Sequence, residues 1–291
     1  MSTVKLPLPV PFNVRAFLQF HGRDTQAVSE RVGTHTLHKA IMLNNRPCVL
    51  EMDFNQTGHV ITSATDITTT ALTGQTRAML GLDQPVKTFE NAISGEHPLG
   101  ALVQRQRGLR VPQSATPYEA LSWAIIGQQI SVSAATAIRR RFIQRANPAS
   151  HAGLNCYPDA ATVSLLTPET LRSVGFSATK ADTLLAVSRL CLNQQLLPDA
   201  LNASADTQQL ERTLLEIRGL GPWSVNYTLL RGYGYLDGSL HGDAAVQKAL
   251  QRLLGQPERP TASATRAWLA DFTPWRAPVA AHLWQSLSSQ A

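Results

Sequence analysis

Asp243 is the strongest candidate for a catalytic residue, judged by residue type and position. It follows Gly242 and precedes an apolar-periodic segment at 244–254, so it should lie at or beside the N-terminus of a predicted helix. Aspartate at such a position often only caps the helix. A single carboxylate can also stabilise the positive charge that develops on a sugar when a glycosidic bond breaks, or orient water for that reaction. Position alone leaves both interpretations open.

Aromatic side chains form the second candidate group. Trp223 and Tyr227 are four residues apart in a predicted helix, and Trp284 lies in the last segment of the sequence. Rings at helical spacing are commonly core packing, which is how we interpret Trp123 and Trp275. Tryptophan and tyrosine also stack on planar ligands and attract a cationic ring. Spacing by itself does not decide between the two uses.

The glycine-containing segment 214–232 predicts two helices joined by a tight hairpin. The first helix should end at Gly219, and Pro222, directly after Gly221, should begin the second. Both glycines are expected to allow positive φ and a close approach of the backbone to another surface. The unpaired N–H groups at the start of the second helix can receive a phosphate. The alternative is a plain tight link between packed helices.

The elements that must position these residues are of two kinds. Alternation over 50–55 and strand-forming residues over 35–43 and 59–69 predict an antiparallel sheet, with turn residues at Asn44, Asn45 and Gly58. From Thr116 onwards the pattern is helical, with helix starts predicted at Thr116-Pro117-Tyr118-Glu119, Thr167-Pro168-Glu169 and Asp206-Thr207-Gln208-Gln209. The sequence therefore predicts an α+β protein, with an α+β domain at 1–112 and a mainly helical region at 113–291.

The composition excludes some classes of protein but does not indicate a function. The formal net charge of +6 is spread evenly along the chain and only weakly indicates an anionic partner. The three cysteines form no CxxC pair, which argues against a disulfide scaffold, a zinc site or a cysteine-bound iron–sulfur cluster. Prolines interrupt the first residues where a signal peptide needs an apolar stretch, and no apolar segment of about 18 residues occurs. We therefore expect a cytoplasmic protein with no membrane partner.

A basic run lies on one predicted helix. It consists of Arg139, Arg140 and Arg141, with Arg145 following. These side chains could contact phosphate, but such a face is more commonly only solvated. We favour the solvated interpretation.

Four separated segments resemble the bacterial 3-methyladenine DNA glycosylase II family of the helix-hairpin-helix DNA glycosylase superfamily. They are 126–132 (IGQQISV), the hairpin, 241–243 (HGD), and 274–276 (PWR) with 282–284 (HLW). The resemblance covers nearly the whole chain and implies an N-terminal domain similar to half of the TATA-binding-protein fold. It also implies an activity: an alkylated, cationic purine such as 3-methyladenine or 7-methylguanine is flipped out of duplex DNA, and its N-glycosidic bond is hydrolysed to leave an abasic site.

The resemblance also implies roles for single residues. Asp243, 22 positions after Gly221, matches the family's essential aspartate. The matches to the base pocket are Trp223, Tyr227, Trp284 and, more loosely, Phe20. The matches to DNA-contacting positions are Gly219, Gly221, Ser224, Gln128 and Gln129. No cofactor is required, although the carbonyls of Leu215, Ile217 and Gly219 can hold a structural monovalent cation, sodium or potassium.

Three positions depart from relatives in informative ways. Trp223 follows Pro222 where strand-cleaving relatives carry a Schiff-base lysine, so we expect a monofunctional enzyme without lyase activity. Gln129 replaces an apolar wedge, and it can hydrogen-bond the orphaned base while losing apolar stacking. Ala244 replaces an aromatic residue of some relatives, which predicts a roomier pocket and an altered substrate range.

Two other functions stay open on the sequence. One is a catalytically silent helix-hairpin-helix protein that recognises or bends DNA. The other is a glycosylase for another lesion, such as hypoxanthine, ethenoadenine or an oxidised base. In each case the expected partner is damaged double-stranded DNA, and the expected state is a monomer associated with the nucleoid.

Overall fold

The computed structural model describes residues 1–43, 46–93, 95, 98–146, 150–198, 201 and 204–288. The first part holds a five-stranded antiparallel sheet in the order β1-β5-β4-β3-β2. Its strands are β1 (Ser2–Pro7), β2 (Glu30–Val32), β3 (Thr36–Leu43), β4 (Arg46–Asp53) and β5 (His59–Ala64). A two-stranded sheet follows later, formed by β6 (Ser150–His151) and β7 (Leu154–Asn155).

Fourteen helices complete the described part of the chain. They are α1 (Val14–His21), α2 (Thr69–Leu80), α3 (Val86–Ala92), α4 (Pro98–Arg105), α5 (Pro117–Gly127), α6 (Val132–Ala146), α7 (Ala160–Ser164), α8 (Pro168–Ser173), α9 (Ala178–Leu192), α10 (Ser204–Glu216), α11 (Pro222–Tyr233), α12 (Ala244–Leu253), α13 (Ala262–Ala270) and α14 (Arg276–Ser288). No helix among the described residues is long and apolar enough to cross a bilayer. The α+β prediction is confirmed.

The predicted strands are present, with one clear error of length. The strand predicted over 59–69 ends at Ala64, because Thr68 caps α2 by accepting a hydrogen bond from the Ala71 N–H. Threonine favours strands and helix caps alike, so composition could not separate the two. Gly58 does form a turn, with φ of +72°, whereas the predicted turn at Asn44 and Asn45 lies outside the described residues.

The predicted helix starts are largely correct. Thr116 accepts a hydrogen bond from the Glu119 N–H at 3.0 Å, and Thr167 accepts one from Thr170 at 3.2 Å. The third helix begins at Ser204, slightly before the predicted start at Asp206. These side-chain oxygens satisfy N–H groups that the first helical turn leaves unpaired.

Apolar packing does not follow the predicted boundary at residue 112. One buried cluster lies between the sheet and helices α1 and α2. Another combines Phe89, Leu99 and Leu102, from α3 and α4, with residues of α11, α12 and α14. Helices α3 and α4 therefore precede the boundary in sequence but pack with the C-terminal helices.

A buried ion cluster joins the sheet to the helical region, and it corrects the interpretation of the basic run. Lys39 of β3 bonds Glu119 of α5 at 2.8 Å, and Arg139 of α6 contacts both Glu119 and Glu30. Arg140 pairs with a buried aspartate, Asp24, at 2.7 Å. The prediction of a solvated basic face was therefore wrong for Arg139, which is buried at 7 % exposure. Its carboxylate partners lie on other elements, where helix periodicity gives no information.

Candidate active site

The hairpin between α10 and α11 is tight for a steric reason at one glycine. Gly219 has φ of +92°, and a Cβ there would lie 2.1 Å from Thr183 Oγ1. Thr183 in turn donates to the carbonyl of Arg218 at 2.9 Å, which fastens the hairpin to α9. Helix α10 ends at Glu216 rather than at Gly219 as predicted. A side chain at 219 would therefore break the packing of the turn.

Gly221 differs from what the sequence predicted. Its φ is −119°, an extended conformation open to any residue, and a Cβ there would meet nothing within 4 Å. It is the N-cap of α11, and no side chain caps the first N–H groups of this helix. The two glycines therefore have different roles. Gly219 permits the turn, and Gly221 leaves space beside the turn.

Gln128 braces the hairpin from α5. Its Nε2 donates to the carbonyl of Gly219 at 2.8 Å and contacts the Ser224 hydroxyl at 2.9 Å. The whole Ser224 residue is buried, at 2 % exposure, so its predicted contact with DNA stays a prediction. Gln129, by contrast, is exposed with φ of +56°, and the neighbouring Ile130 is 38 % exposed. The predicted wedge position therefore lies at the surface beside an apolar side chain.

Asp243 caps α12 and also holds two indole groups. Oδ1 accepts from the N–H groups of Ala245 and Val246, each at 2.9 Å, and from Trp284 Nε1 at 3.1 Å. Oδ2 accepts from Trp223 Nε1 at 2.8 Å. The residue is half-buried. The same carboxylate therefore caps α12 and is the candidate catalytic group. Its hydrogen bonds fix the directions of both oxygens.

The predicted aromatic residues meet in one place, although they come from three helices. The Trp223 and Tyr227 ring centroids are 5.4 Å apart, and those of Tyr227 and Trp284 are 6.3 Å apart. Phe20 of α1 joins this group through Arg231, whose guanidinium carbon lies 4.3 Å from the Phe20 centroid. Tyr227 is buried, whereas the other three rings are half-buried. We call these four residues the aromatic group.

Two arginines of this site were missed by sequence reasoning. Arg231 lies 5.4 Å from the Trp284 ring and 5.9 Å from the Tyr227 ring. Arg23 lies 4.5 Å from the Phe20 ring and 5.8 Å from the Trp123 ring. A signal for Arg231 was present in the sequence, because it follows Tyr227 by one helical turn and shares its face. Arg23 carried no such signal.

A small cleft lies beside the aromatic group. Its volume is about 40 Å³, and it is partly open to solvent. Its wall includes Phe20, Arg23, Trp123 and Tyr227, together with members of the buried ion cluster. Trp123, interpreted as core from the sequence, is half-buried and lines this cleft.

The hairpin carbonyls are partly occupied by protein donors. The Ile217 carbonyl accepts from the Leu220 N–H at 3.0 Å, and the Gly219 carbonyl accepts from Gln128 at 2.8 Å. A carbonyl has two lone pairs, so each keeps one acceptor position. The cation site on the carbonyls of Leu215, Ile217 and Gly219 stays a prediction. Within the described part of the chain, no group of three or more His, Cys, Asp or Glu residues could hold a metal ion.

Known proteins resemble this chain in sequence and in fold. DNA-3-methyladenine glycosylase 2 of Escherichia coli (strain K12) is 27 % identical over 188 residues, which are 64 % of this chain and 63 % of that protein. The chain thus spans less than two thirds of that relative's length. The structure of 3-methyladenine DNA-glycosylase from Archaeoglobus fulgidus superposes with a TM-score of 0.81 at 18 % identity, covering 97 % of both chains. The Schizosaccharomyces pombe 3-methyladenine DNA glycosylase Mag1 in complex with abasic DNA has a TM-score of 0.56 at 26 % identity, covering 69 % of this chain and 97 % of Mag1.

Two family models account for most of the chain. The model described as the AlkA N-terminal domain matches residues 3–116, the part that contains the five-stranded sheet. The model described as HhH-GPD superfamily base excision DNA repair protein matches residues 122–274, which include the hairpin and Asp243. Because the second match alone exceeds half of the sequence, the chain belongs to the HhH-GPD superfamily of base excision DNA repair proteins.

Proposed function

We propose that this protein is a monofunctional DNA glycosylase that removes alkylated purines from duplex DNA. One observation carries the proposal: Trp223, the second residue of the helix that follows the hairpin, donates its indole N–H to Asp243 at 2.8 Å. The element suited to bind a phosphate and the carboxylate suited to stabilise a sugar cation are therefore in direct contact. Damaged double-stranded DNA is the proposed partner, and relatives named for 3-methyladenine glycosylase activity support the substrate class.

The proposed mechanism follows from the fixed directions of the Asp243 oxygens. As the N-glycosidic bond breaks, positive charge develops on the deoxyribose, and a carboxylate held in place stabilises it without reorganising. The same carboxylate can accept a proton from the water that adds to C1′. One carboxylate suffices because an alkylated, cationic base leaves as a neutral molecule.

The aromatic group supplies the proposed base pocket. An alkylated purine that carries positive charge is attracted by the faces of tryptophan and tyrosine in addition to ordinary stacking. Trp223 and Trp284 bond Asp243 and are only half-buried, so both keep some exposed surface. Tyr227 lies behind them. Ala244 next to Asp243 is exposed, which supports a roomy entrance.

The absence of lyase activity is proposed from the hairpin itself. Position 223 carries tryptophan, whose indole nitrogen cannot form a Schiff base. Borohydride treatment of the protein on damaged DNA should therefore trap no covalent complex, whereas a trapped lysine adduct would contradict this part of the proposal.

Gln129 and Ile130 are proposed to fill the space left by the flipped nucleotide. Both are exposed at the end of α5, which Gln128 fastens to the hairpin. The glutamine amide can hydrogen-bond the orphaned base while Ile130 supplies the apolar surface that the glutamine lacks. A structural monovalent cation on the hairpin carbonyls, a monomeric state and a cytoplasmic location with the nucleoid are parts of the same proposal.

Base release from defined duplexes tests the proposed function. Wild type and Asp243→Asn are incubated with duplexes that each contain one lesion, and free base and abasic sites are measured. We expect wild type to release 7-methylguanine and 3-methyladenine, and the variant to bind the same duplexes without releasing either. Binding without release by wild type would favour a catalytically silent DNA-binding protein, and release of hypoxanthine or ethenoadenine alone would favour a glycosylase for other lesions.

A further inference from the structure

Arg231 places a positive charge inside the aromatic group. Only 5 % of the residue is exposed, and its guanidinium lies 4.3 Å from the Phe20 ring, 5.4 Å from the Trp284 ring and 5.9 Å from the Tyr227 ring. Three rings of the proposed base pocket thus already contact a planar protein cation. Their faces stabilise that cation in the absence of DNA.

This cation has no carboxylate partner within the described part of the chain. Its one direct bond to the main chain is a 2.7 Å donation to the carbonyl of Pro112, and its Nε is buried without a hydrogen-bond partner. Burial, with a smaller contribution from Arg23, lowers the pKa of Arg231 to about 10 against the opposing effect of Tyr227. The group is therefore still protonated at neutral pH. A buried charge without an ionic partner is costly, and such groups cluster at functional sites.

Arg231 and Asp243 both contact the indole of Trp284. Asp243 Oδ1 accepts from Nε1 of Trp284 at 3.1 Å, and Arg231 lies over the ring of the same tryptophan. A base stacked in the aromatic group would have the carboxylate on its sugar side and the guanidinium nearer its ring. The guanidinium and the carboxylate therefore contact the face and the N–H edge of the same indole.

We propose that Arg231 stabilises the electron pair that passes to the departing base and so extends the substrate range to neutral lesions; this rests on the proposed glycosylase function. The C1′–N bond breaks, its electron pair goes to the base nitrogen, and the sugar carbon gains positive charge that water then quenches. A cationic base departs as a neutral molecule, and the proton of the added water passes to solvent. A neutral base departs as an anion and takes up that proton instead.

The charge of the leaving group makes the two substrate classes respond differently. An anionic leaving group gains direct stabilisation from the guanidinium, and in a site shielded from water this stabilisation is strong. A cationic base already leaves easily, and the guanidinium opposes its binding. Loss of the charge should therefore slow release of neutral lesions much more than release of cationic ones.

The test compares two lesions in single-turnover reactions with the full chain. Wild type, Arg231→Met and Arg231→Lys are assayed on duplexes containing hypoxanthine, which is neutral, or 7-methylguanine, which is cationic. We expect Arg231→Met to lose about tenfold or more on hypoxanthine and less than about threefold on 7-methylguanine, and Arg231→Lys to keep the wild-type ratio at neutral pH. Arg110→Met is the matched control, because Arg110 also donates to main-chain carbonyls, those of Gly81 and Gln84, but contacts none of the aromatic group.

Other outcomes separate the inference from the function on which it rests. Equal losses of release rate on both lesions would overturn the inference, because they are expected if Arg231 only holds the Pro112 segment. Wild type that releases 7-methylguanine but no hypoxanthine would also overturn it. Wild type that releases neither base contradicts the proposed function itself. If Arg231→Met does not fold, Arg231→Lys decides: as pH rises and the lysine deprotonates, its hypoxanthine rate must fall relative to its 7-methylguanine rate. Tyr227 and Arg23 are the titratable groups that act on this position, and a ratio that stays constant overturns the inference.

Discussion

Asp243 accepts four hydrogen bonds with two oxygens, and this number explains its fixed direction. Two donors are main-chain N–H groups of α12 and two are indole N–H groups from other helices. The helix N-terminus also favours the negative charge electrostatically. A carboxylate held in this way is ready to stabilise positive charge, because no side-chain motion is needed when the charge appears.

Replacing Asp243 in two ways separates its capping from its proposed chemistry. Asparagine keeps the helix cap, but its Nδ2 cannot accept from the Trp223 indole N–H as Oδ2 does, whereas alanine loses the cap and both indole bonds. Asp243→Asn should therefore lower the free energy of unfolding less than Asp243→Ala, in which loss of the cap alone costs about 1 kcal/mol. Both should reduce base release by about a hundredfold or more. Thermal unfolding and single-turnover release are the measurements. Full activity in the asparagine variant would contradict a catalytic role.

Two substitutions of Trp284, one that keeps an aromatic ring and one that removes it, test the proposed base pocket. Trp284→Phe removes the N–H that bonds Asp243 but keeps an aromatic face, whereas Trp284→Ala removes both. We expect the alanine variant to lose more activity on cationic bases than general DNA affinity, and the phenylalanine variant to lose less. Rates on 7-methylguanine duplexes and affinities for undamaged duplexes provide the comparison. Equal losses of rate and affinity would indicate that Trp284 only supports the fold.

At the scale of elements, the hairpin joins α10 to α11 and contacts α5 and α9. Thr183 of α9 packs against Gly219, and Gln128 of α5 bonds its carbonyl. Two neighbouring helices therefore hold the turn in place, which would lower the ordering cost of the proposed DNA binding. Because the surroundings of its two glycines differ, the same substitution at each should have different effects.

Gly219→Ala and Gly221→Ala should have opposite profiles. The first places a methyl group 2.1 Å from Thr183 Oγ1 at positive φ, so it should destabilise the fold by about 1–3 kcal/mol. The second meets nothing within 4 Å and should cost less than about 1 kcal/mol, because alanine is only a poorer N-cap than glycine. If the first amides of α11 approach a DNA phosphate, Gly221→Ala should weaken DNA binding all the same. Unchanged affinity in salt titrations would place the phosphate elsewhere.

At the scale of the whole molecule, buried ionisable groups tie separate elements together. The ion cluster of Glu30, Lys39, Glu119 and Arg139 joins the sheet to α5 and α6. Positive neighbours hold the pKa of Glu30 well below its usual value despite the opposing effect of burial. The stability gained from this depressed pKa is present above the ordinary glutamate pKa and is lost as pH falls below it.

His282 gives a pH dependence that begins at higher pH. Burial lowers its pKa to about 3, so between pH 6.5 and that value the unfolded chain binds a proton that the folded chain does not. Stability should therefore fall with decreasing pH, by up to about 1.4 kcal/mol per unit for this group. Buried His21, whose pKa is also lowered, adds to the same trend.

The contribution of His282 can be isolated with one substitution. Unfolding midpoints in denaturant are measured between pH 7.5 and 5, above the range in which the glutamates titrate. His282→Gln, which keeps a polar partner for Gln106, should show a smaller loss of stability over this range than wild type. An identical slope in both proteins would assign the pH dependence to other groups.

The sequence by itself determined the features that depend on local pattern. Strand alternation, capping residues such as Thr116 and Thr167, and the Gly-Leu-Gly-Pro turn are read within a few residues, because hydrogen bonds and steric limits of the backbone act at that range. The motifs also identified Asp243 and the three helical aromatic residues, which do lie together. Where the pattern was ambiguous, as in the threonine-rich segment before α2, the predicted boundary was wrong.

Only the tertiary structure decided which distant groups meet. Arg139 was expected to be solvated and instead meets carboxylates from β2 and α5, Gln128 bonds the hairpin, and Arg231 enters the aromatic group together with Phe20 of α1. Each of these contacts joins residues far apart in the chain. Burial of charge is set by the packing of whole elements against one another, and no periodicity within a single helix or strand encodes it.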